Sequence, residues 1–351
     1  MRNNERLFDL SMPDTMSDEL PVKLLRGAVL VLFAAAFIAV VLVIGISVYA
    51  GRIVTQFERK EVPPIKVNLA VSYTSVNFKS IDGTTTLRGW LFNTPSATGN
   101  IVIMVHGMGE NRFQFGEDTL DIVETIIENN FSVLAFDLRN SGDSDVGIPT
   151  FGLHERDDVL GAVNYARSQK FTKIVLYGFA SGANAAILAS AKPKADKAVN
   201  PALTQELLDT LSNSVDALIL DTPITDVSEY LAQLLADRDY SLPEFPFKYT
   251  LPLAVNLYIN GDVSDADIMK CFYDFIPRHV LLLCGGMDYE ASSAGILEMY
   301  EQYNALATGK ISIWDDPNSG HLESFSNSKQ QYLSKLTDFF NLAFPVAPAE
   351  S

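Results

Sequence analysis

Residues 174–186 read Ile-Val-Leu-Tyr-Gly-Phe-Ala-Ser-Gly-Ala-Asn-Ala-Ala. An apolar stretch of strand length runs into a tight turn with glycine at both ends, and an alanine-rich helix follows. A turn this tight between a buried strand and a helix strains its central residue and excludes side chains two positions to either side. Gly178 and Gly182 occupy those flanking places, so the centre is Ala180. The central side chain of such a strand–turn–helix stands where a nucleophile would be presented. Ala180 offers no oxygen, sulfur or carboxylate.

The rest of the chain supplies the sheet that such a turn requires. Apolar runs of strand length occur at 100–106, 131–137, 173–177, 217–221, 279–284 and 310–314. Helical patterns lie between them at 120–129, 155–168, 182–191, 294–304 and 329–344. Near-continuous apolar strands alternating with helices predict a mostly parallel, doubly wound α/β sheet with helices on both faces. A hairpin precedes them, with residues 71–78 and 85–92 joined through Asp82-Gly83. The segment 192–214 has mixed charge and reads as a surface loop. Between Asp221 and Pro277 the alternation stops for about fifty residues rich in proline and aromatics, too long for a structureless loop. Extra helices padding the sheet edge and a cap over the C-terminal strand ends both fit that composition, and the insertion is placed at about 224–275.

At the other end, residues 27–50 contain no charged side chain. Twenty-four helical residues at about 1.5 Å each reach about 36 Å, enough for a hydrocarbon core of about 30 Å. A signal peptide is the competing reading, since Val48-Tyr49-Ala50 could serve as a cleavage site, but its apolar core is normally only about 7–15 residues. The expectation is one transmembrane helix over 27–50, with a polar tail at 1–26 that is disordered over 1–20, a linker at 51–66 and a single domain at 67–346. Lys23 and Arg26 on one side nearly balance Arg52, Arg59 and Lys60 on the other. A short tail and a large following domain favour a single-pass cell-membrane protein with its domain outside the cytoplasm.

Composition excludes some functions. With 26 Lys+Arg against 43 Asp+Glu the net charge is −17, which argues against a nucleic-acid partner. The two cysteines, Cys271 and Cys284, form no metal-binding or disulfide pattern, and Cys284 reads as a buried thiol. His106, His154, His279 and His321 are too scattered to suggest a metal site. No cofactor is expected.

Two residues downstream of Ala180 fit acid–base work. Asp288 follows the buried strand 279–284 through Gly285-Gly286-Met287, and His321 lies in a Gly-His loop just before the final helix. A base–orienter pair needs an imidazole able to take a proton and a carboxylate fixing its tautomer, so this pair is assigned those roles. After the run 100–106 comes His106-Gly107-Met108-Gly109, whose Met108 N–H, with that of Ser181, is the candidate oxyanion hole. His106 itself reads as structural. The turn from Asp137 to Ser144 reads as a charged brace for the elbow.

Over roughly residues 70–345 the chain resembles the serine-hydrolase α/β-hydrolases, especially the membrane-anchored serine-aminopeptidase-like and monoacylglycerol-lipase-like group. The likeness rests on the His-Gly loop, Phe136-Asp137-Leu138-Arg139-Asn140-Ser141-Gly142, Glu155-Arg156-Asp157-Asp158-Val159, Asp221-Thr222-Pro223, residues 285–288 and Gly320-His321. It implies ester, thioester or amide hydrolysis through an acyl-enzyme, acting on a small acyl or peptide-like ligand. Ala180 breaks that implication. The chain reads as an inactive, ligand-binding pseudoenzyme, with an active serine hydrolase altered at position 180 as the alternative. Water activated by His321 is a slower third possibility. Ser181 does not substitute, because that frame would put Phe179 where the turn needs glycine.

Overall fold

A computed structural model describes residues 19–64, 72–96, 98–191, 200, 202–271 and 278–345. In chain order the elements are α1 (Glu19–Val54), β1 (Tyr73–Lys79), β2 (Thr86–Phe92), β3 (Asn100–Val105), α2 (Thr119–Glu128), β4 (Ser132–Asp137), α3 (Glu155–Ser168), β5 (Lys173–Phe179) and α4 (Ser181–Ser190). They continue with α5 (Gln205–Asn213), β6 (Val215–Asp221), α6 (Val227–Ala236), α7 (Glu244–Ile259), β7 (His279–Gly285), α8 (Ser293–Leu306), β8 (Ile311–Asp316), α9 (Ser324–Asn327) and α10 (Lys329–Ala343).

The apolar runs form one eight-stranded sheet in the order β1-β2-β4-β3-β5-β6-β7-β8. The hairpin pairs Tyr73 with Phe92 through Lys79 with Thr86, and β2 pairs antiparallel with β4. All other neighbours are parallel. Strand alternation sorts the core: Ile101, Ile103 and Val105 of β3 face one layer with residues of α3, α4, α5 and α8. Val102 and Met104 face the other, with α2 and α10. From β3 the chain moves outward to β4, then returns to β5 on the other flank of β3. The strand order therefore reverses at the C-terminal ends of β3 and β5, where open α/β sheets form their binding crevice.

Several sequence expectations need correction. The helix expected over 27–50 spans Glu19–Val54, so residues 19–26 of the expected polar tail are helical, and 19 and 20 are not disordered; residues 1–18 lie outside the described residues. The linker expected at 51–66 begins as helix: Gly51 and Val54 are buried, and residues 65–66 lie outside the described residues. The last turns of α1, from Ser47, belong to the same compact unit as the sheet. The segment 192–214 contains α5, started by the Thr204 hydroxyl accepting from Leu207 N–H and anchored by buried Leu208 and Leu211. Residues 192–199 and 201 lie outside the described residues. Its mixed charge hid an amphipathic pattern.

The insertion after β6 forms α6 and α7 on a third apolar cluster. Tyr230, Leu231, Leu234, Leu235, Leu251 and Val255 pack with Phe151, Leu153 and the α1 residues Ala50 and Val54. Helix α6 starts at Asp226, whose side chain accepts from Ser228 and Glu229 N–H.

Candidate active site

Ala180 sits at the apex of the β5–α4 turn with φ 47° and ψ −119°. A non-glycine residue in such a conformation is strained and persists only where its surroundings enforce it. Here Ala180 N–H donates to Asp221 O at 2.9 Å, and Ala180 O accepts from Ala183 N–H. The flanking glycines are required by neighbours other than the apex itself. A Cβ on Gly182 would lie 2.3 Å from both Val105 O and His106 O, and one on Gly178 would lie 2.4 Å from Ala183 Cα. Gly182 thus lets α4 pass the end of β3, and Gly178 lets β5 meet the first turn of α4. Both glycines are structural.

Asp288 and His321 come together past the ends of β7 and β8. His321 Nδ1 lies 3.0 Å from Asp288 Oδ2, while Asp288 Oδ1 accepts from Glu290 and Ala291 N–H. The two loops approach because residue 285 is glycine; a Cβ there would meet Ser319 O at 2.3 Å. Burial alone would pull the His321 imidazole below its usual value. The hydrogen bond and charge of Asp288, with Glu290 and Asp221, instead bring it out above. Glu290 Oε2 stands 3.9 Å from His321 Nε2, so each ring nitrogen has a carboxylate near it. Burial, opposed by His321, pushes the Glu290 carboxyl upward.

On the oxyanion side, His106 is structural as expected. Its Nε2 accepts from Leu138 N–H at 3.0 Å, so Nδ1 carries the proton and donates to Gly107 O. Burial lowers its pKa. Gly107 N–H is held by Gln114, and Gly107 stands beside Ala180: a Cβ on it would lie 3.6 Å from Ala180 Cβ. Met108 N–H already has a partner, since it donates to Ser181 Oγ at 2.8 Å. Any oxyanion would have to displace that hydroxyl. Ser181 N–H, in the first turn of α4, has no intrahelical acceptor and remains a donor. The turn from Asp137 to Ser144 braces the His-Gly loop rather than the elbow. Asp137 accepts from Arg112 N–H and its guanidinium, and Arg112 also reaches Asp143.

Four neighbours had no site role assigned from the sequence. Glu290, two positions after Asp288, carries no motif. Tyr230 of α6 places its ring 6.3 Å from the His321 ring, a proximity set by the cap. Phe57, after α1, packs on Gly109 and lies under the Arg238 guanidinium at 4.9 Å. Asp221, at the end of β6, is fully buried and accepts from Tyr332 hydroxyl at 2.6 Å and Thr222 hydroxyl at 2.8 Å. Tyr332 in turn meets the Tyr177 hydroxyl. Burial pushes Asp221 up to about 6, against those hydrogen bonds and His321.

The arrangement can orient an imidazole, accept a proton at His321 Nε2 and hold a developing negative charge near Ser181 N–H. It contains no side chain at position 180 able to form a covalent bond to a substrate. Among the described residues, no group of three or more His, Cys, Asp or Glu side chains is arranged to hold a metal ion.

No family model matches the sequence. The uncharacterized protein YqkD of Bacillus subtilis (strain 168) is 23% identical over 251 residues, covering 70% of this chain and 73% of YqkD. Among solved structures, the Pyrococcus furiosus esterase Pf2001 superposes with a TM-score of 0.59 at 19% identity, over 82% of this chain and 98% of the esterase. Est1E from Butyrivibrio proteoclasticus gives 0.52 at 17% identity, over 75% of this chain and 96% of its own. The acylaminoacyl peptidase of Pyrococcus horikoshii gives 0.53 at 15% identity, over 79% of this chain and 41% of its own. With the strand order, the strained turn after β5 and these superpositions, the fold of this chain is that of the α/β-hydrolases.

Proposed function

We propose that this chain is a membrane-anchored α/β-hydrolase-fold protein that binds a small acyl or peptide-like ligand in its cleft without acylating it. The observation that carries this reading is Ala180, a methyl group at the strained apex where covalent catalysis would need an oxygen or sulfur. Ser181 does not fill the vacancy. Its hydroxyl accepts from Met108 N–H, and Phe179, two residues before it, is fully buried against Tyr177 and Phe115. The uncharged helix over 27–50 serves as a single-pass anchor, with the folded domain on the extracytoplasmic side. A helix of 32 residues from Lys23 to Val54 is long and apolar enough for that role, and an N-terminal signal sequence would pass the same test.

A second reading is favoured by two observations at the site. The backbone strain at position 180 and the His321–Asp288 hydrogen bond are both kept. Strain of about 1–3 kcal/mol has no use without a nucleophile to present. On that reading the chain is a serine hydrolase of ester, thioester or amide bonds whose serine has been replaced by Ala180.

One assay separates the two. The detergent-solubilised full chain and Ala180→Ser are compared on short- and medium-chain aryl esters and with a fluorophosphonate probe. Binding without acylation predicts no labelling and at most a trace of turnover in the alanine form. A gain of ester hydrolysis in Ala180→Ser, abolished by His321→Ala, supports the second reading. Ordinary turnover by the alanine form, lost in His321→Ala, would overturn the non-acylating reading.

A further inference from the structure

Helix α7 is apolar on two faces. Phe247, Leu251, Val255 and Ile259 are buried in the cap. On the outer side, Tyr249, Leu253 and Leu257 follow one another at four-residue spacing and are 66%, 66% and 72% exposed, with Phe245 at the start of the helix 78% exposed. Glu244 and Lys248 form an exposed ion pair on the same helix, so the apolar residues make a stripe beside a charged one, as on a helix that lies in a membrane interface. Exposed contiguous apolar surface marks a contact surface.

What covers that face follows from the α7 neighbour. In the unit that holds the sheet, α7 packs along the last turns of α1 through small residues. Ser47 Oγ lies 2.7 Å from Thr250 Oγ1, and a Cβ on Gly51 would come within 3.1 Å of Ala254. Tyr258 hydroxyl donates to Val48 O at 3.0 Å, and Tyr240 stacks edge-on to Tyr49. The pairs Ser47 with Thr250 and Gly51 with Ala254 repeat at four-residue spacing on both helices, the small-residue packing by which membrane helices approach closely. Ser47 to Ala50 are also the last four residues of the uncharged run, so α7 is fastened within one helical turn of its end. Because Thr250 meets Ser47 and Ala254 meets Gly51, the two helices run in the same direction. The start of α7 therefore lies on the Ser47 side of Gly51.

We propose that the outer face of α7, through Phe245, Tyr249, Leu253 and Leu257, is immersed in the headgroup–acyl boundary of the bilayer beside the anchor. The cap is then a second point of membrane contact, with tyrosines 49, 240 and 249 at the level where their amphipathic rings are favoured. This rests on the anchor reading of residues 27–50, so its test carries a separate marker for the anchor.

Full-length protein, with Cys271→Ser and Cys284→Ala, is reconstituted into phosphatidylcholine–phosphatidylglycerol vesicles. Single nitroxide labels are placed through Tyr249→Cys, Leu253→Cys, Leu257→Cys, Phe37→Cys in the anchor and Leu342→Cys on α10. Collision with oxygen, enriched in lipid, is compared with collision with a water-soluble nickel chelate. The expected result is an oxygen-to-nickel ratio at 249 and 253 severalfold above that at 342 and below that at 37, which lies near the centre of the uncharged run, with 257 shallower. Water-like ratios at 249, 253 and 257 with a lipid-like ratio at 37 overturn the immersion of α7 and leave the anchor standing. Labels shielded from both reagents mean that protein covers the face, which also overturns it. A water-like ratio at 37 removes the anchor and this inference together.

Discussion

At the scale of single residues the site is defined by what surrounds Ala180. His321 lies between Asp288 at 3.0 Å and Glu290 at 3.9 Å, and its pKa is raised because those charges outweigh its burial. The sign has two consequences. A histidine raised in the folded state stabilises the protein fully below its unfolded value of about 6.5, and this contribution is lost as pH rises through the higher folded value. His321→Ala should therefore lower the melting temperature more at mildly acidic than at alkaline pH. A base must be neutral to act, so any hydrolysis by Ala180→Ser should rise with pH around a midpoint above about 6.5. Glu290→Gln in that background should move the midpoint down; an unmoved midpoint would show that Glu290 does not act on the imidazole. The pair itself was legible in the sequence, because each member follows a buried strand in a short loop. Glu290 was not, since nothing local distinguishes it from a solvated loop carboxylate.

Among the elements, the cap shows how local chemistry and tertiary placement divide the work. Asp226 closes the N-terminus of α6 by accepting from two backbone N–H groups, and α6 carries Tyr230 to the His321 ring. Asp226→Ala should cost about 0.5–2 kcal/mol, measured by urea unfolding. In the Ala180→Ser background it should also change KM more than kcat, since α6 borders the site without supplying a reacting group. A stability loss with unchanged KM would separate α6 from ligand binding. Helix α5 was misread as loop because its first turn follows a charged stretch, whereas its Thr204 cap and buried Leu208 and Leu211 give it both a start and a face. The end of α1 reads as linker in the sequence because the uncharged run stops at Ala50 and Pro63-Pro64 follows. Contact with Ala254 makes glycine the residue that fits at position 51.

For the whole molecule, the centre is a buried hydrogen-bonded chain from β5 through α10 to β6. Tyr177 meets Tyr332, and Tyr332 donates to Asp221, whose backbone carbonyl holds Ala180 N–H. The final helix is thereby tied to the strands that shape the elbow. Tyr332→Phe removes one of the two hydroxyl donors to Asp221 and should destabilise the fold by about 1–3 kcal/mol. Because Asp221 titrates near 6, that loss should be smaller below this pH, where the carboxyl is protonated, and larger above it. A pH-independent loss in thermal melts would mean that Asp221 does not change protonation state in the native protein over that range.

Local sequence carries the α/β grammar, the sheet-forming runs, the glycine-bounded turn with alanine at its centre, and the acid and histidine loops. Each of these is encoded over a few neighbouring residues, by strand and helix periodicity or by turn chemistry. Long-range packing sets three further contacts: Ser181 hydroxyl takes Met108 N–H, Glu290 faces the second nitrogen of His321, and Ser47 and Gly51 seat the end of α1 on α7. Those contacts join residues 31 to 203 positions apart. Over such separations sequence spacing carries no distance, and closure of the sheet and packing of the cap bring the partners together.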